Sequence, residues 1–169
     1  MAGTDLVVIG AGPGGYVAAI RAAQLGMKVV IAEKDACGGT CLNYGCIPTK
    51  ALYKNAQVMG YMDRSREFGI EIDGYRLDME QVQARKNKIV KTLTGGVEYL
   101  LKSNKVAIEK GCAKIIKAGL VEVTGKDGTV KRLETKRILI ASGSKSSRLP
   151  IEGMDLEGVI TSKEALDMK

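Results

Sequence analysis

Residues 5–15 of the chain read DLVVIGAGPGG. The first five are typical of a buried parallel strand, and the glycine-rich turn after them leads into an alanine-rich stretch that predicts a helix over residues 14–25. A second apolar run, at residues 28–32, follows the break at Gly26. This strand–helix–strand order predicts a parallel sheet that carries a dinucleotide-binding turn after its first strand.

The glycines of this turn match the G-x-G-x-x-G fingerprint. Gly10 allows the tight turn, Gly12 lets the backbone approach a pyrophosphate, and Gly15 allows the helix to pack closely on the sheet. Glu33 ends the second strand and is expected to accept hydrogen bonds from an adenosine ribose. A turn that serves only packing is the alternative, and the coincidence of all these parts disfavours it. The fingerprint by itself does not choose between FAD and NAD.

Two cysteines, Cys41 and Cys46, lie five positions apart in the segment GGTCLNYGCIPTK at residues 38–50. In a regular helix such residues are about 8.6 Å apart at Cα, which is outside disulfide range. A bond between them therefore requires a distorted backbone, which Gly45 can provide. Pro48 predicts a helix that starts near Cys46, where the positive end of the helix dipole favours a thiolate.

Lys50 lies one helical turn beyond Cys46, so we expect it near the same chemical group. An ordinary solvent-exposed lysine is the alternative. A zinc site that adds Cys37 is a further alternative, but the spacing is unlike that of zinc ribbons and the chain has no histidine, so no metal ligand is predicted. Cys37 and Cys112 are expected to be packed or surface thiols.

The rest of the chain alternates between helical and strand-like patterns. Helices are predicted over residues 51–62 and 78–102, separated by a polar connection; Gly95 and Gly96 either kink the second helix or allow a close approach. Short strands are expected to form a small antiparallel meander at residues 106–109, 113–116, 120–123 and 130–133. A strand at residues 137–141 is expected to rejoin the parallel sheet, and residues 161–164 match a capping box.

The predicted fold class is therefore α/β: a Rossmann-like parallel sheet with helices on both faces, plus a small antiparallel β-meander. A chain of 169 residues that is 45% apolar can bury one ordinary core. Its net charge of +7 comes from basic residues interleaved with acidic ones, and it has six Tyr, one Phe and no Trp. A basic stripe with stacking aromatics is thus lacking, which argues against a nucleic-acid partner.

The first nine residues lack a basic leader region, and their apolar run is far too short to span a membrane. We therefore expect no membrane association and a cytoplasmic location. The chain contains no histidine, so the commonest general base near neutral pH is missing from it.

The segment at residues 38–50 resembles the active-site segment of the pyridine nucleotide-disulfide oxidoreductases, and the resemblance runs over all 169 residues. Similar stretches are GAGPGGY at residues 10–16, LTGG at 93–96 and LIASGS at 139–144. Leu42, Ile47 and Thr49 resemble the branch that oxidises dihydrolipoyl groups more than the glutathione or mercuric reductases. Ser142 departs from the family's usual threonine but keeps the hydroxyl.

This resemblance implies an incomplete FAD-binding domain at residues 1–148, and a linker at residues 149–169 that leads towards an NAD domain absent from this chain. Cys41 is implied to be the thiol that exchanges with substrate, Cys46 the sulfur that donates charge to the flavin, and Lys50 a neighbour of the flavin ring. The residues that the family pattern places against FAD are Gly10, Gly12, Pro13, Gly14, Gly15, Glu33, Lys34, Gly39, Thr40, Ala113, Ala141, Ser142 and Gly143.

By the same resemblance, electrons pass from dihydrolipoamide to the disulfide, then to FAD and finally to NAD. The implied partners are the dihydrolipoyl domain of a 2-oxo acid dehydrogenase or glycine cleavage complex, and a second copy in a homodimer. The family's histidine base has no counterpart here, so we expect an N-terminal fragment that does not turn over alone. Two alternatives stay open: a disulfide reductase of the glutathione or mercuric type, and a noncatalytic flavin-binding module.

Overall fold

A computed structural model of the protein describes residues 3–168. The prediction that the chain begins without a leader falls partly on Met1 and Ala2, which lie outside this range. The strands are β1 (Thr4–Ile9), β2 (Val29–Glu33), β3 (Ala107–Lys110), β4 (Cys112–Lys117), β5 (Leu120–Thr124) and β6 (Val130–Ile140). The helices are α1 (Pro13–Gln24), α2 (Gly39–Tyr44), α3 (Cys46–Asp63), α4 (Met79–Ser103) and α5 (Ser162–Ala165).

Within residues 3–168, these strands form a six-stranded sheet in the order β3-β2-β1-β6-β5-β4. The β3-β2-β1-β6 part is parallel, with Val8 paired to Ile31 on one side and to Leu139 on the other. The placement of residues 106–109 in the meander was wrong, since β3 pairs in parallel with β2. The reason is the 25-residue helix α4 before it, which is long enough to return the chain for a parallel crossover.

The meander consists of β4, β5 and the first half of β6, all antiparallel. The prediction of two separate strands at residues 130–133 and 137–141 was wrong, because β6 is continuous. The Thr135 N–H donates to the carbonyl of Gly119 at 2.9 Å, and Thr135 also pairs with Thr4. The polar residues between the two apolar runs therefore stay in the ladder, and β6 joins the parallel and antiparallel parts.

Alternation along β1 divides the core in two. Val8 belongs to a cluster with residues of α1, α2 and α4, including Ala19, Leu42 and Leu101. Val7 belongs to a second cluster that contains the meander residues Val121, Val123 and Leu133. The α/β class with a parallel sheet and a meander is confirmed, but the sequence also predicted helices on both faces of the sheet, and the described residues differ in this respect. In the described residues, α1, α2 and α4 cover one face of the parallel strands, and the meander packs on the other.

Helix α4 is continuous through Gly95 and Gly96, so the two glycines do not interrupt it. A Cβ added to either glycine would meet no described atom within 4 Å, so the close approach is not found there either. The capping box at residues 161–164 is confirmed, since the Glu164 carboxylate accepts a 2.8 Å hydrogen bond from the Thr161 N–H. Among residues 3–168, no helix combines the length and apolarity needed to cross a membrane.

Candidate functional site: a thiol pair packed on a dinucleotide loop

The loop between β1 and α1 is built from contacts that only glycine permits. A Cβ on Gly10, whose φ is +100°, would lie 2.3 Å from the Ala141 oxygen. A Cβ on Gly15 would lie 1.8 Å from the Gly10 oxygen, so α1 sits directly against the end of β1. Among the described residues no side chain caps the α1 N-terminus, and Pro13 and Gly14 are exposed there. This helix end therefore offers its dipole and exposed backbone to an anion.

Glu33 lies at the end of β2, where the fingerprint predicts an acid. Its carboxylate accepts hydrogen bonds from the Ala11 N–H at 2.6 Å and from the Asp35 N–H at 2.8 Å. The side chain is half-buried and thus braces the glycine loop from the neighbouring strand. Each carboxylate oxygen can accept more than one hydrogen bond, so this bracing is compatible with the ribose contact predicted for it.

The end of β6 lies beside the same loop. The Ala141 N–H donates to the Ile9 oxygen at 2.8 Å, and the Ser142 Cα would be 3.1 Å from a Cβ on Gly10. Ser142 and Gly143 are exposed immediately beyond, with Gly143 at a φ of +68°. The structure thus brings residues 141–143 next to the fingerprint, although some 130 residues separate them in the chain.

The cysteine segment packs on this loop through its backbone. The Gly38 N–H donates to the Ala11 oxygen at 2.8 Å. Gly39 has a φ of +56°, and a Cβ there would lie 2.6 Å from the Gly12 Cα. The start of α2 is therefore held against the part of the loop that the fingerprint assigns to the pyrophosphate, with Thr40 exposed next to it.

The backbone is broken between the two cysteines. Gly45 separates α2 from α3 with φ −141° and ψ −112°, and Cys46 is the first residue of α3. The distortion predicted at Gly45 is thus present. A Cβ on Gly45 would lie 3.0 Å from the Thr40 oxygen, so the turn is also tight.

Cys41 and Cys46 are both free thiols, and their side chains interact with each other. This interaction raises the pKa of Cys41 above its usual value, and burial adds to the rise. The positive charge of Lys50 acts in the opposite direction, which places its ammonium within electrostatic reach of the pair. Cys46 and Lys50 are exposed and Cys41 is half-buried, so the pair is open to a reactant at Cys46.

Two predicted contacts lie further along the same edge of the sheet. The Gly111 N–H donates to the Glu33 oxygen at 2.9 Å, which brings the start of β4 to the end of β2. Ala113, two residues later, packs against the cluster under the meander, and Lys34 is exposed directly after Glu33. These two residues therefore lie on the β2 side of the loop, whereas the thiols lie on the α2 side.

The sequence analysis did not identify three polar side chains as part of the site: those of Asn43, Tyr44 and Asp35. The Asn43 amide donates to the carbonyls of Cys37 at 3.1 Å and Gly39 at 2.9 Å, and so closes the first turn of α2. The Tyr44 hydroxyl donates to the Asp35 carboxylate. This bond raises the pKa of Tyr44 to about 12, helped by burial and by the charges of Asp35 and Glu33. Only the position of Asn43 and Tyr44 between the cysteines could have marked them.

The other two cysteines, Cys37 and Cys112, are also free thiols. Cys37 is buried, and burial raises the pKa of its thiol, with the charges of Glu98 and Glu33 adding to the rise. Cys112 is exposed at the start of β4. In residues 3–168, no three His, Cys, Asp or Glu side chains converge as a possible metal site.

A dinucleotide fits this edge of the sheet. Three backbone segments come into contact with no side chain between them, next to an uncapped helix N-terminus and an acid on the adjacent strand. A pair of interacting thiols flanks that cradle. A dinucleotide cradle beside a redox-active thiol pair defines a flavin- or nicotinamide-linked disulfide oxidoreductase.

The sequence profile of the family "Pyridine nucleotide-disulphide oxidoreductase" matches residues 4–169. The chain belongs to this family, whose members carry FAD. It is 48% identical over 167 residues to the mitochondrial dihydrolipoyl dehydrogenase of Dictyostelium discoideum, covering 98% of this chain and 34% of that protein. It is 46% identical over 169 residues to the enzyme of the same name from Sus scrofa, covering 98% and 33% of the two chains.

A solved structure is also similar: the Cu(II) complex of the HOCl-induced flavoprotein disulfide reductase RclA from Escherichia coli. The TM-score is 0.83 at 27% identity, over 99% of this chain and 35% of that one. The resemblance to the disulfide oxidoreductases and the fold class are both confirmed. This chain spans about a third of the length of the relatives and of the solved structure it matches.

Proposed function

We propose that the chain is the FAD- and dithiol-carrying part of a dihydrolipoyl dehydrogenase. In this role it passes electrons from dihydrolipoamide through the Cys41–Cys46 pair and FAD to NAD. The observation that carries the proposal is the pair of interacting thiols packed by its backbone on a dinucleotide loop. Identities of 46–48% to proteins named dihydrolipoyl dehydrogenase support that substrate over glutathione or mercury.

The chemistry of the pair follows from thiol–disulfide exchange. One dihydrolipoyl thiolate attacks the Cys41 sulfur of an oxidised Cys41–Cys46 bond and displaces the Cys46 thiolate, and the second dihydrolipoyl sulfur then attacks the first to release lipoamide and the Cys41 thiol. Two electrons and two protons pass to the protein, which ends as the two free thiols. When bound, FAD would supply the redox group between the thiol pair and NAD. Lys50 lies close enough to stabilise negative charge on the thiol pair.

The cofactor contacts are proposed on the same geometry. Gly10, Gly12 and Gly39 would provide the backbone cradle, and the α1 N-terminus with Pro13 and Gly14 would hold the pyrophosphate. Glu33 would accept hydrogen bonds from the ribose hydroxyls. The remaining contacts of the family pattern are assigned to Lys34, Thr40, Ala113, Ala141, Ser142 and Gly143.

We also propose the partners of the protein and its location in the cell. The substrate donor is the dihydrolipoyl domain of a 2-oxo acid dehydrogenase or glycine cleavage complex, and the complete enzyme is a homodimer. The proposed location is the cytoplasm, whereas the relatives are named mitochondrial. The domain assignment proposed is an FAD domain at residues 1–148 and a linker at 149–169.

We infer that these 169 residues do not complete the reaction by themselves. They span about a third of the relatives' length and contain no histidine to serve as the base of the family. Contacts to the flavin from the remaining two thirds would also be missing. Each lost polar contact costs about 1–3 kcal/mol, so FAD is expected to dissociate during prolonged dialysis.

The proposal is tested by the visible spectrum of the chain reconstituted with FAD and reduced by one equivalent of dihydrolipoamide. A long-wavelength absorption band is expected, because a thiolate against the flavin ring gives one. The Cys46→Ser variant should lose the band and the Cys41→Ser variant should keep it. If the wild-type chain binds FAD but shows no band, the dithiol role is wrong and the noncatalytic flavin module is favoured.

The substrate is tested by replacing dihydrolipoamide with reduced glutathione at equal thiol concentration. Dihydrolipoamide closes its own ring on oxidation, so it should reduce the pair faster by at least an order of magnitude. Equal or faster reduction by glutathione would favour the glutathione-type alternative. Turnover of dihydrolipoamide with NAD at enzyme-like rates would contradict the inferred incompetence of this chain.

A further inference from the structure

Tyr44 occupies the end of α2 that adjoins the backbone break. It is the last residue of the helix, followed directly by Gly45 and Cys46. Its hydroxyl donates to the Asp35 carboxylate. The Lys163 ammonium lies 4.2 Å from the centre of its ring, as a cation–π contact from helix α5.

The hydrogen bond continues into the dinucleotide loop. The Asp35 N–H donates to one Glu33 carboxylate oxygen at 2.8 Å, and the other oxygen accepts from the Ala11 N–H at 2.6 Å. Tyr44 is thus connected through Asp35 and Glu33 to the backbone of the glycine turn. Its hydroxyl keeps its proton across the neutral range, since its pKa is about 12, so the donor is permanent.

The two ends of α2 are held in different ways. The first end is fixed by backbone packing on Gly12 and by the Asn43 amide, which bonds the Gly39 carbonyl at 2.9 Å. The second end meets α3 at Gly45, where no described side chain caps the α3 N-terminus. Glycine permits a wide range of backbone angles, so the backbone by itself leaves this joint adjustable. Next to Gly45, the hydrogen bond from Tyr44 to Asp35 restrains the end of α2.

The geometry points to Tyr44 as a positioning residue for the thiol pair, a role that rests on the proposed function. We propose that its bond to Asp35 holds α2 against α3 so that the Cys41 and Cys46 sulfurs stay within reach of each other. A tethered pair has a higher effective concentration of one thiol near the other, which favours the disulfide. In this role Tyr44 acts through the helix that carries Cys41, and not by contact with either sulfur.

The test is the equilibrium of the pair with glutathione. Each disulfide formed takes two electrons and two protons from Cys41 and Cys46, consumes one glutathione disulfide and yields two reduced glutathiones. The 169-residue chain is equilibrated over a range of glutathione ratios without flavin, quenched in acid, alkylated and read by mass spectrometry. The Cys37→Ser/Cys112→Ser background removes the two other thiols.

Tyr44→Phe should lower the equilibrium constant for disulfide formation at least threefold, which is about 14 mV at 29.6 mV per tenfold. Asp35→Ala should have an effect of the same size, and the double variant no larger an effect than either single one, because both break one bond. Tyr44→Leu should lower it further, since the Lys163 contact is lost as well.

Tyr75→Phe is the matched control, because Tyr75 donates to the Asp63 carboxylate at 2.6 Å at the far end of α3. It should leave the equilibrium constant within error of wild type. Urea midpoints of both Tyr→Phe variants separate a general loss of stability from an effect on the pair. An unchanged equilibrium constant in Tyr44→Phe, or equal shifts in Tyr44→Phe and Tyr75→Phe, overturns the positioning role. If wild type forms no Cys41–Cys46 disulfide at any ratio, the proposed function fails instead, and the positioning role with it.

Discussion

The glycine loop and the C-terminal segment at residues 149–168 are attached to the molecule in opposite ways. At the loop, backbone meets backbone: Gly10 against Ala141, Gly15 against Gly10, and Gly39 against Gly12. The C-terminal segment, by contrast, is held through two side chains of helix α4, which is far away in sequence. These are Lys86, which donates to the Leu166 oxygen at 2.8 Å and to Asp167, and Gln83, which donates to the Met168 oxygen at 2.6 Å.

This difference predicts how each region responds to change. A clash between backbone atoms cannot be relieved by a change of rotamer, so a methyl group added at the loop must displace a whole helix or strand. Side-chain ties can be lost one at a time, and the segment they hold can detach while the sheet remains folded. The site therefore depends on the rigid region, and the C-terminal segment is expected to respond locally.

The largest effect is expected at Gly15. In Gly15→Ala the Cβ would overlap the Gly10 oxygen at 1.8 Å, so α1 must move off β1. We expect a loss of about 3 kcal/mol or more of unfolding free energy in urea, followed by circular dichroism because the chain has no Trp. Gly14→Ala is the control, since a Cβ there meets no described atom within 4 Å and alanine favours the helix. Equal losses in both variants would show that the contact is unimportant.

Gly39→Ala comes next and tests the packing of the thiol segment on the loop. Its cost combines the positive φ of +56°, about 1–2 kcal/mol, with the 2.6 Å overlap on Gly12, about 1–3 kcal/mol. Gly26→Ala carries the first cost alone, because its φ is +85° and no described atom lies within 4 Å of the added Cβ. FAD affinity, measured by dialysis, should fall in Gly39→Ala and not in Gly26→Ala. Unchanged affinity in both would separate the thiol segment from the cofactor site.

Lys86→Met should release the C-terminal segment with a smaller cost. The buried ammonium would be replaced by an apolar group, leaving the Leu166 carbonyl without this donor, for about 1–3 kcal/mol. Hydrogen exchange should speed up over residues 162–168 and stay unchanged in β1 and β2. The exposed Lys88, replaced by methionine on the same helix, serves as the control. Global unfolding of Lys86→Met would contradict a local attachment.

The smallest effect is an alkaline loss of stability through Tyr44. Its pKa is about 12 in the folded chain, above the ordinary value near 10, because Asp35 accepts its proton in a hydrogen bond. The folded state therefore binds more protons in this window, so the contribution is complete below about pH 10 and disappears as the pH rises towards 12. Tyr44→Phe should flatten the stability curve in that window. An identical curve for wild type and Tyr44→Phe would show that Asp35 does not hold the hydroxyl.

The glycine loop could be predicted from the sequence because the fingerprint is local and each glycine has a steric reason. The break at Gly45 could be predicted as well, since two cysteines five positions apart cannot bond across a regular helix. Strand β3 was misplaced because its partner is decided by the crossover of α4, which no short pattern contains. The gap predicted inside β6 failed because pairing to Thr4 and Gly119 keeps Thr135 in the ladder.

The contacts of Tyr44 and Lys86 could not be predicted from the sequence, for a different reason. Each joins residues whose spacing has no periodic signal: Tyr44 to Asp35 and Lys163, and Lys86 to Leu166. A lysine reads as a surface residue in any pattern, yet Lys86 is 2% exposed. Only the folded arrangement reveals such partners.

The central claim is that packing on the dinucleotide loop makes Cys41 and Cys46 the two thiols that bond to each other, in preference to Cys37 and Cys112. Oxidation of the wild-type chain by a mild disulfide, followed by alkylation and peptide mapping in a mass spectrometer, tests it most directly. The account predicts one internal bond, between Cys41 and Cys46, with the other two thiols recovered as alkylated cysteines. Bonding of Cys37 to either member of the pair, or four alkylated thiols at every oxidant concentration, would contradict it.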